Sequence, residues 1–387
     1  MKIIAFYLPQ FHDIPENDKW WGKGFTEWVN VKKAVPLYQN HEQPRIPLNN
    51  NYYNLLDDEV KIWQAKLAKK YGIYGFCYYH YWFNGKMVLE KPMEQMLANK
   101  NIDIPFCICW ANEPWTKAWV GKKEVLLPQF YGGEKEWTEH FIYLLPFFKD
   151  ERYIKEENKP LVVIYRAEVI PELNERLRLW DKLAKENGFA GIKFAYQDIT
   201  FDLMTGKDDS LFDYNIEFQP SYAWNDLNSK SRLKSSKVWE ELRSGKRRFQ
   251  SFVEKKFGFD LHRYLSNSKK THELNKVDYD AAWNEILNHI PANNKCIPGA
   301  FVGWDNTPRK GNNGTVYIGD TPEKFQKYLT EQIKRAKEVY HKDMIFMYAW
   351  NEWAEGGYLE PDERSEYKNL IAIKKALIEN GEFPWED

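Results

Sequence analysis

Short, nearly unbroken apolar runs recur eight times along this chain: Ile3–Tyr7, Ile73–Tyr79, Ile104–Cys109, Leu161–Tyr165, Ile192–Tyr196, Tyr214–Phe218, Ile297–Val302 and Met344–Tyr348. A run that stays apolar instead of alternating is the mark of a parallel strand covered on both faces. Most of the intervals hold a helical pattern. Leu56, Val60, Trp63, Leu67 and Tyr71 follow a spacing of three or four, with Asp57 and Asp58 at one end and Lys69 and Lys70 at the other, as the helix dipole favours. Leu173, Leu177, Trp180 and Leu183 mark a second helix. Thr321-Pro322 opens a third with a cap and a first-turn proline, and a last one runs from about Ser365 to Asn380. A length of 387 residues admits one large barrel or two average domains. The repeated strand–helix alternation predicts an α/β chain folded as a single (β/α)8 TIM barrel over 1–387, with an open doubly wound sheet as the weaker alternative.

The residues that leave each run sharpen that choice. They read YLPQFH, YHYWF, WANEPW, YRAE, YQD, FQPSYAW, GWDN and AWNEW, polar and aromatic at nearly every carboxyl end. An open sheet gathers ligand groups at one switch point, whereas a barrel draws them from all its strands onto one face. One interval breaks the pattern. Residues 225–291 read as a helical, basic insertion between strands six and seven. Its Lys230–Lys270 stretch is either a solvated face or a surface for an anionic partner such as a lipid-linked glycan.

Aromatic residues make up 17% of the chain, seventeen of them Trp, and many stand beside polar residues. Sugars offer apolar C–H faces framed by hydroxyls, so a site for them favours aromatic walls with a few placed polar groups. The sharpest constellation is YAWNEWAEGGYLEPD, residues 348–362, directly after the eighth run. Glu352 and Glu355 are three apart, and in a turn or helical start they face one way. Paired carboxylates divide the work of glycosidic cleavage, one ionised and one holding a proton, and Trp350 and Trp353 would supply apolar surroundings. In an ordinary loop the same glutamates would be caps and ion pairs; the strand terminus and the tryptophans favour chemistry. At other exits, Tyr7, Gln10, Tyr79, His80, Tyr81 and Trp82 form a candidate sugar-binding wall. Trp110, Asn112 and Glu113, Trp304 and Asp305, and Trp350, Asn351 and Trp353 complete the substrate-binding candidates, with Arg166 a weaker one.

Other chemistries find little support. A formal net charge of −1 argues against a nucleic-acid partner. No GxGxxG follows a strand, and GxxxxGK[ST], GxSxG and HExxH do not occur, so neither a cofactor nor a metal is expected. Asp278-Tyr279-Asp280 has the DxD form of metal-dependent sugar transferases, but it precedes a helix instead of following a strand and reads as coincidence. Cys77, Cys107, Cys109 and Cys296 lie in apolar runs, as core thiols do. The opening MKIIAFYLPQ is too short in its apolar part for a signal-peptide core, and no segment is long enough to span a bilayer. The expected location is therefore cytoplasmic, with the inner face of the membrane as the alternative.

Taken together, YLPQFH, WWGKGFTEW (residues 20–28), YHYWF, WANEPW, GWDN and YAWNEWAEGGYLEPD give the chain a likeness over its whole length. It resembles the WbsX-like family of glycosyltransferases, itself similar to glycoside hydrolase family 99. The resemblance implies a (β/α)8 barrel acting on a bacterial surface polysaccharide or its oligosaccharide precursor. It also implies that EWAE, residues 352–355, corresponds to an EWHE motif. Carried over, Glu352 would deprotonate the substrate's 2-hydroxyl and Glu355 would act as acid and then base, with net retention. Ala354 stands where those hydrolases have His, which weakens any inference of mannoside specificity. Two other readings are a nucleotide-sugar-dependent glycosyltransferase and a non-catalytic glycan-binding barrel.

Overall fold

All eight apolar runs become strands, and the strands close on one another. In the computed structural model, which describes residues 1–116, 124–199, 204, 207–225 and 274–384, they are β1 (Lys2–Tyr7), β2 (Ile73–Phe83), β3 (Phe106–Trp110), β4 (Lys159–Ile164), β5 (Lys193–Asp198), β6 (Tyr214–Glu217), β7 (Cys296–Ile297 continued by Gly299–Phe301) and β8 (Met344–Tyr348). Each pairs in parallel with its neighbours in chain order, and β8 pairs with β1. The seam lies at β7, where Pro298 offers no backbone donor: the first half pairs with β6 and the second with β8. The result is a (β/α)8 TIM barrel.

The helices follow the sequence pattern closely. Asp58–Lys70 is capped by the Asp57 carboxylate, which accepts from Glu59 N. Pro322–Glu338 is capped by the Thr321 hydroxyl, with Pro322 in the first turn. Leu173–Glu186 stands where its periodicity predicts. The last helix, Lys368–Glu379, begins three residues later than expected, because Ser365 N is held by the Asp362 carboxylate in a turn. Lys91–Ala98 and Glu134–Lys149 cover β2 to β4.

Of the 225–291 insertion, residues 226–273, including the basic stretch Lys230–Lys270, lie outside the described residues. The final part of that range is barrel, which corrects the boundary. Asn275–Asp278 pairs with Thr315–Ile318, and the helix Tyr279–Asn288 stacks Trp283 on Phe301 of β7. Asp278 caps that helix through Ala281 N, and Asp280 bonds Lys324 and Tyr328, so the DxD is structural. The four cysteines are buried free thiols. Among the described residues no helix is long and apolar enough to cross a membrane.

Strand parity decides what faces the lumen. Phe6, Tyr79, Phe218 and Phe346 meet inside the barrel. Their chain neighbours Tyr7 and Tyr78 face outward and pack at 4.3 Å, under the helix Asp58–Lys70. Both layers are buried, as a barrel sheathed in helices requires.

Candidate active site

At the carboxyl ends of the strands one guanidinium faces three carboxylates. Arg309 Nη1 donates to Glu355 Oε1 at 2.5 Å, Nη2 to Glu352 Oε2 at 3.3 Å and Nε to Glu27 Oε2 at 3.1 Å. Glu27 opens the short helix Glu27–Lys33 and is wholly buried. The Tyr348 hydroxyl, at the tip of β8, donates to Glu355 Oε2 at 2.5 Å. Glu352 and Glu355 thus lie within the span of a single guanidinium, the first buried and the second partly open.

The chain after β8 is built to hold that arrangement. Asn351 exchanges hydrogen bonds with the Leu8 backbone through both ends of its amide, at 2.7 and 3.0 Å. A 3-10 turn, Trp353–Glu355, then swings Glu355 toward Arg309, and Gly356 ends it at φ 62°. Below the turn, Glu360 accepts from Trp353 Nε1, Gln64 Nε2 and the Tyr53 hydroxyl at 2.6 to 2.8 Å. Burial nonetheless pushes Glu360 up to about 7, because all three donors are neutral.

The two candidate catalytic carboxyls are driven apart. Burial pushes Glu352 up to about 8; Arg309 opposes the rise, and the charges of Glu355 and Glu27 add to it. For Glu355 burial acts in the same sense, but Arg309 and the Tyr348 hydroxyl outweigh it and hold the group below the ordinary carboxylate value. The two environments thus differ in sign: Glu352 is the raised member of the pair and Glu355 the lowered one. The carry-over from the resemblance puts the acid on Glu355, whereas Glu352 is the carboxyl its surroundings raise.

The mouth collects fewer of the expected binding residues than the sequence offered. Tyr79 and Tyr81 face inward, and both phenols are raised by burial and then by the nearby Glu352. Gln10 hydrogen-bonds Tyr81. Trp304 leans on Tyr348 at 5.1 Å and stays half-buried. Glu113 is ion-paired with Arg166, which also holds Glu168.

The remaining candidates are corrected. Tyr7 points away from the lumen and donates to Gln64 at 2.6 Å. His80, Trp82 and Trp110 alternate with the inward residues and enter an aromatic cluster beneath the helix Glu134–Lys149. There the Nε2 atoms of His80 and His140 lie 2.9 Å apart, Trp82 stacks on His140 at 4.4 Å, and Trp110 meets Trp137 at 5.3 Å. Burial pushes His80 down to about 3, so it stays neutral. Trp350 and Trp353 are also buried, against Phe76 and Tyr358. Asn112 spends its amide on the Arg166 backbone and Tyr131, and Asn351 on Leu8. Asp305 accepts from His41 Nε2, Gln43 Nε2 and the Thr307 hydroxyl at 2.6 to 2.8 Å, an anchor rather than a ligand.

Sequence reasoning missed Glu27, Arg309 and Tyr348, together with Trp115 and Trp20. Trp115 meets Tyr81 edge-on at 5.2 Å and Trp20 at 5.8 Å, extending the aromatic wall. Four of these stand inside motifs already singled out: Trp20 and Glu27 in WWGKGFTEW, Trp115 in WANEPW and Tyr348 in YAWNEWAEGGYLEPD. Arg309 lies in the residues after GWDN, where only a count of the opposing carboxylates would have drawn attention to a cation.

Comparison with known proteins agrees with this picture. A family model described as Glycosyltransferase WbsX matches residues 3–373. Two proteins of Xanthomonas campestris pv. campestris, from strains B100 and ATCC 33913 and each described as uncharacterized protein WxcX, are 34% identical over 379 residues, 97% of this chain and 49% of theirs. The chain thus spans about half the length of the curated relatives it matches. The GH99 endo-alpha-mannosidase from Bacteroides thetaiotaomicron, in complex with Bis-Tris propane, superposes with a TM-score of 0.55 at 13% identity, covering 98% of this chain and 96% of that one. A glycoside hydrolase-like protein gives 0.54 at 11%, covering 97% and 93%. At such identities the likeness is one of fold.

Proposed function

This chain belongs to the glycosyltransferase WbsX family, and we propose that it cleaves a glycosidic bond with retention, using Glu352 as proton donor and Glu355 as its ionised partner. Membership makes it a carbohydrate-active enzyme acting on glycans. The observation that carries the finer reading is the shared guanidinium of Arg309, which two carboxyls at the barrel mouth face, one raised by its surroundings and one lowered. A non-catalytic binding barrel would be content with balanced ion pairs. Here one guanidinium is shared by three carboxylates, and burial, helped by the charges of Glu355 and Glu27, is what favours the protonated form of Glu352.

The chemistry follows from that proton. Glu352 gives it to the glycosidic oxygen as the C1–O bond breaks. Glu355 takes the proton of the 2-hydroxyl, whose oxygen closes on C1 to give a 1,2-anhydro intermediate. Water or a sugar hydroxyl then opens that ring at C1 and loses its proton to Glu352, while Glu355 returns its own to O2. Two inversions leave net retention, and both carboxyls end as they began. Tyr348 stabilises the charged state of Glu355 before it takes the 2-hydroxyl proton and after it returns it, and the wall of Tyr81, Trp115, Trp20 and Trp304 offers rings for sugar faces. The nature of the acceptor decides between hydrolysis and transfer. We assign the substrate to the bacterial surface polysaccharides or their oligosaccharide precursors, by the family's resemblance.

Incubation with polysaccharide repeat oligosaccharides, read by mass spectrometry for shortening or extension, tests the reaction. Glu352→Gln and Glu355→Gln should each lower kcat by about a hundredfold or more with glycan affinity retained. A folded double variant that keeps near-full turnover would make the glutamates architecture.

A further inference from the structure

We propose that Gln197 reads two hydroxyl groups of a neutral sugar lying against the carboxylate pair, and so sets specificity at the floor of the mouth. The inference rests on the reading of that mouth as a sugar site. Gln197 is the penultimate residue of β5. Phe194 and Tyr196 both pack on Phe212 outside the barrel, so Ala195 and Gln197 take the lumen face. Tyr79, stacked on Phe6 and edge-on to Tyr165, presents its hydroxyl to Gln197 and feels the charge of Glu352 on the other side. One phenol therefore separates Gln197 from the carboxyl pair.

Gln197 is 3% exposed, yet among the described residues its amide has no partner beyond the Tyr79 hydroxyl. A carboxamide offers two donors and two acceptor positions, and buried ones in folded proteins are nearly always used. Even with Tyr79 engaged, most of that capacity is left over on the lumen face of β5, beside the phenol on which Glu352 acts. An amide presents a donor and an acceptor side by side, which suits adjacent hydroxyls that can each give and take a hydrogen bond. A uronate or phosphate would meet the amide oxygen together with Glu352 and Glu355, so the chemistry selects an uncharged sugar.

Methyl hexopyranosides and their monodeoxy analogues, titrated by NMR against wild type and Gln197→Met, test this. Met conserves volume while removing the polar atoms. The expected result is a Kd weakened about tenfold for the best-bound glycoside, the worth of about two modest hydrogen bonds. The loss should disappear for the deoxy analogue that lacks the hydroxyl being read, with Tm unchanged or higher. Binding within twofold of wild type, an equal loss on every analogue, a markedly lower Tm, or no neutral glycoside bound by wild type would each overturn the assignment. Failure of the catalytic reading shows separately, as turnover that survives in the double Gln variant of the carboxylate pair.

Discussion

Replacing Glu352 with Gln should make the protein more stable in alkaline solution and leave it nearly unchanged in acid. Gln reproduces the protonated carboxyl in shape and can still accept from Arg309. The native carboxyl is pushed from 4.5 to about 8, so the folded state holds this proton more tightly than the unfolded chain does. A raised carboxyl has no effect below about pH 4.5, where both states are protonated. Its stability contribution is lost progressively as pH climbs from there through about 8. At 1.36 kcal/mol for each tenfold change, the ionised group costs about 3 to 5 kcal/mol above that point. A chain of 387 residues unfolds with an entropy near 0.8 kcal/mol/K, so the gain in the variant is about 4 to 6 °C in Tm near pH 9 and under about 1 °C near pH 5. Differential scanning calorimetry of both proteins at matched scan rates reads this directly, since groups remote from Glu352 titrate alike and cancel. A pH-independent offset, or a variant that melts below wild type near pH 9, would show Glu352 ionised in the fold and refute the assignment of the proton.

Further outcomes are open to measurement. The kcat/KM profile should fall as pH rises through about 8, because the general acid is lost there; a profile flat to pH 10 contradicts it. Arg309→Met strips the cation from three carboxylates, so stability should drop by about 3 kcal/mol or more in denaturant titrations. The acidic limb of the activity it retains should move to higher pH, since Arg309 is what lowers Glu355. His80→Leu should lower Tm by disturbing His140, yet leave the Kd for glycan unchanged; an altered Kd would return His80 to the binding wall. Turnover should survive EDTA, since among the described residues no group of His, Cys, Asp and Glu is arranged to hold a metal.

The barrel was legible because parallel strands sheathed in helices must be apolar on both faces, a pattern that eight short runs repeat. That same property hid the site. In YHYWF every residue is aromatic or imidazole, so the sequence shows alternation without saying which parity turns inward. Tyr79 and Tyr81 went in; His80 and Trp82 went under a helix that begins some fifty residues later, where His140 meets both. The glutamate pair was legible as a pair. Which member is raised was not, because that depends on burial and on Arg309, distant in sequence, whose bonds are shorter to Glu355 than to Glu352. Asp305 looked like a ligand from its place at a strand end, but His41 and Gln43 arrive from far along the chain to occupy it.

Gly356 carries a consequence for anyone who wishes to move this chemistry elsewhere. At φ 62° it passes so close to the loop after β7 that a Cβ would stand 2.8 Å from Asp305 N, and that same nitrogen holds the Glu355 carbonyl at 2.6 Å. Asp305 in turn grips Thr307, His41 and Gln43. The glutamate loop is thus cast together with two other segments and has no independent shape. A graft of residues 348–362 onto a foreign barrel would bring the carboxyls without their angle; the transplantable unit also includes 25–30, 41–43 and 303–309. In a library built to change the sugar accepted, Gly356 and Asp305 belong among the fixed positions, and diversity belongs at Trp20 and Trp115, which stand outside the casting.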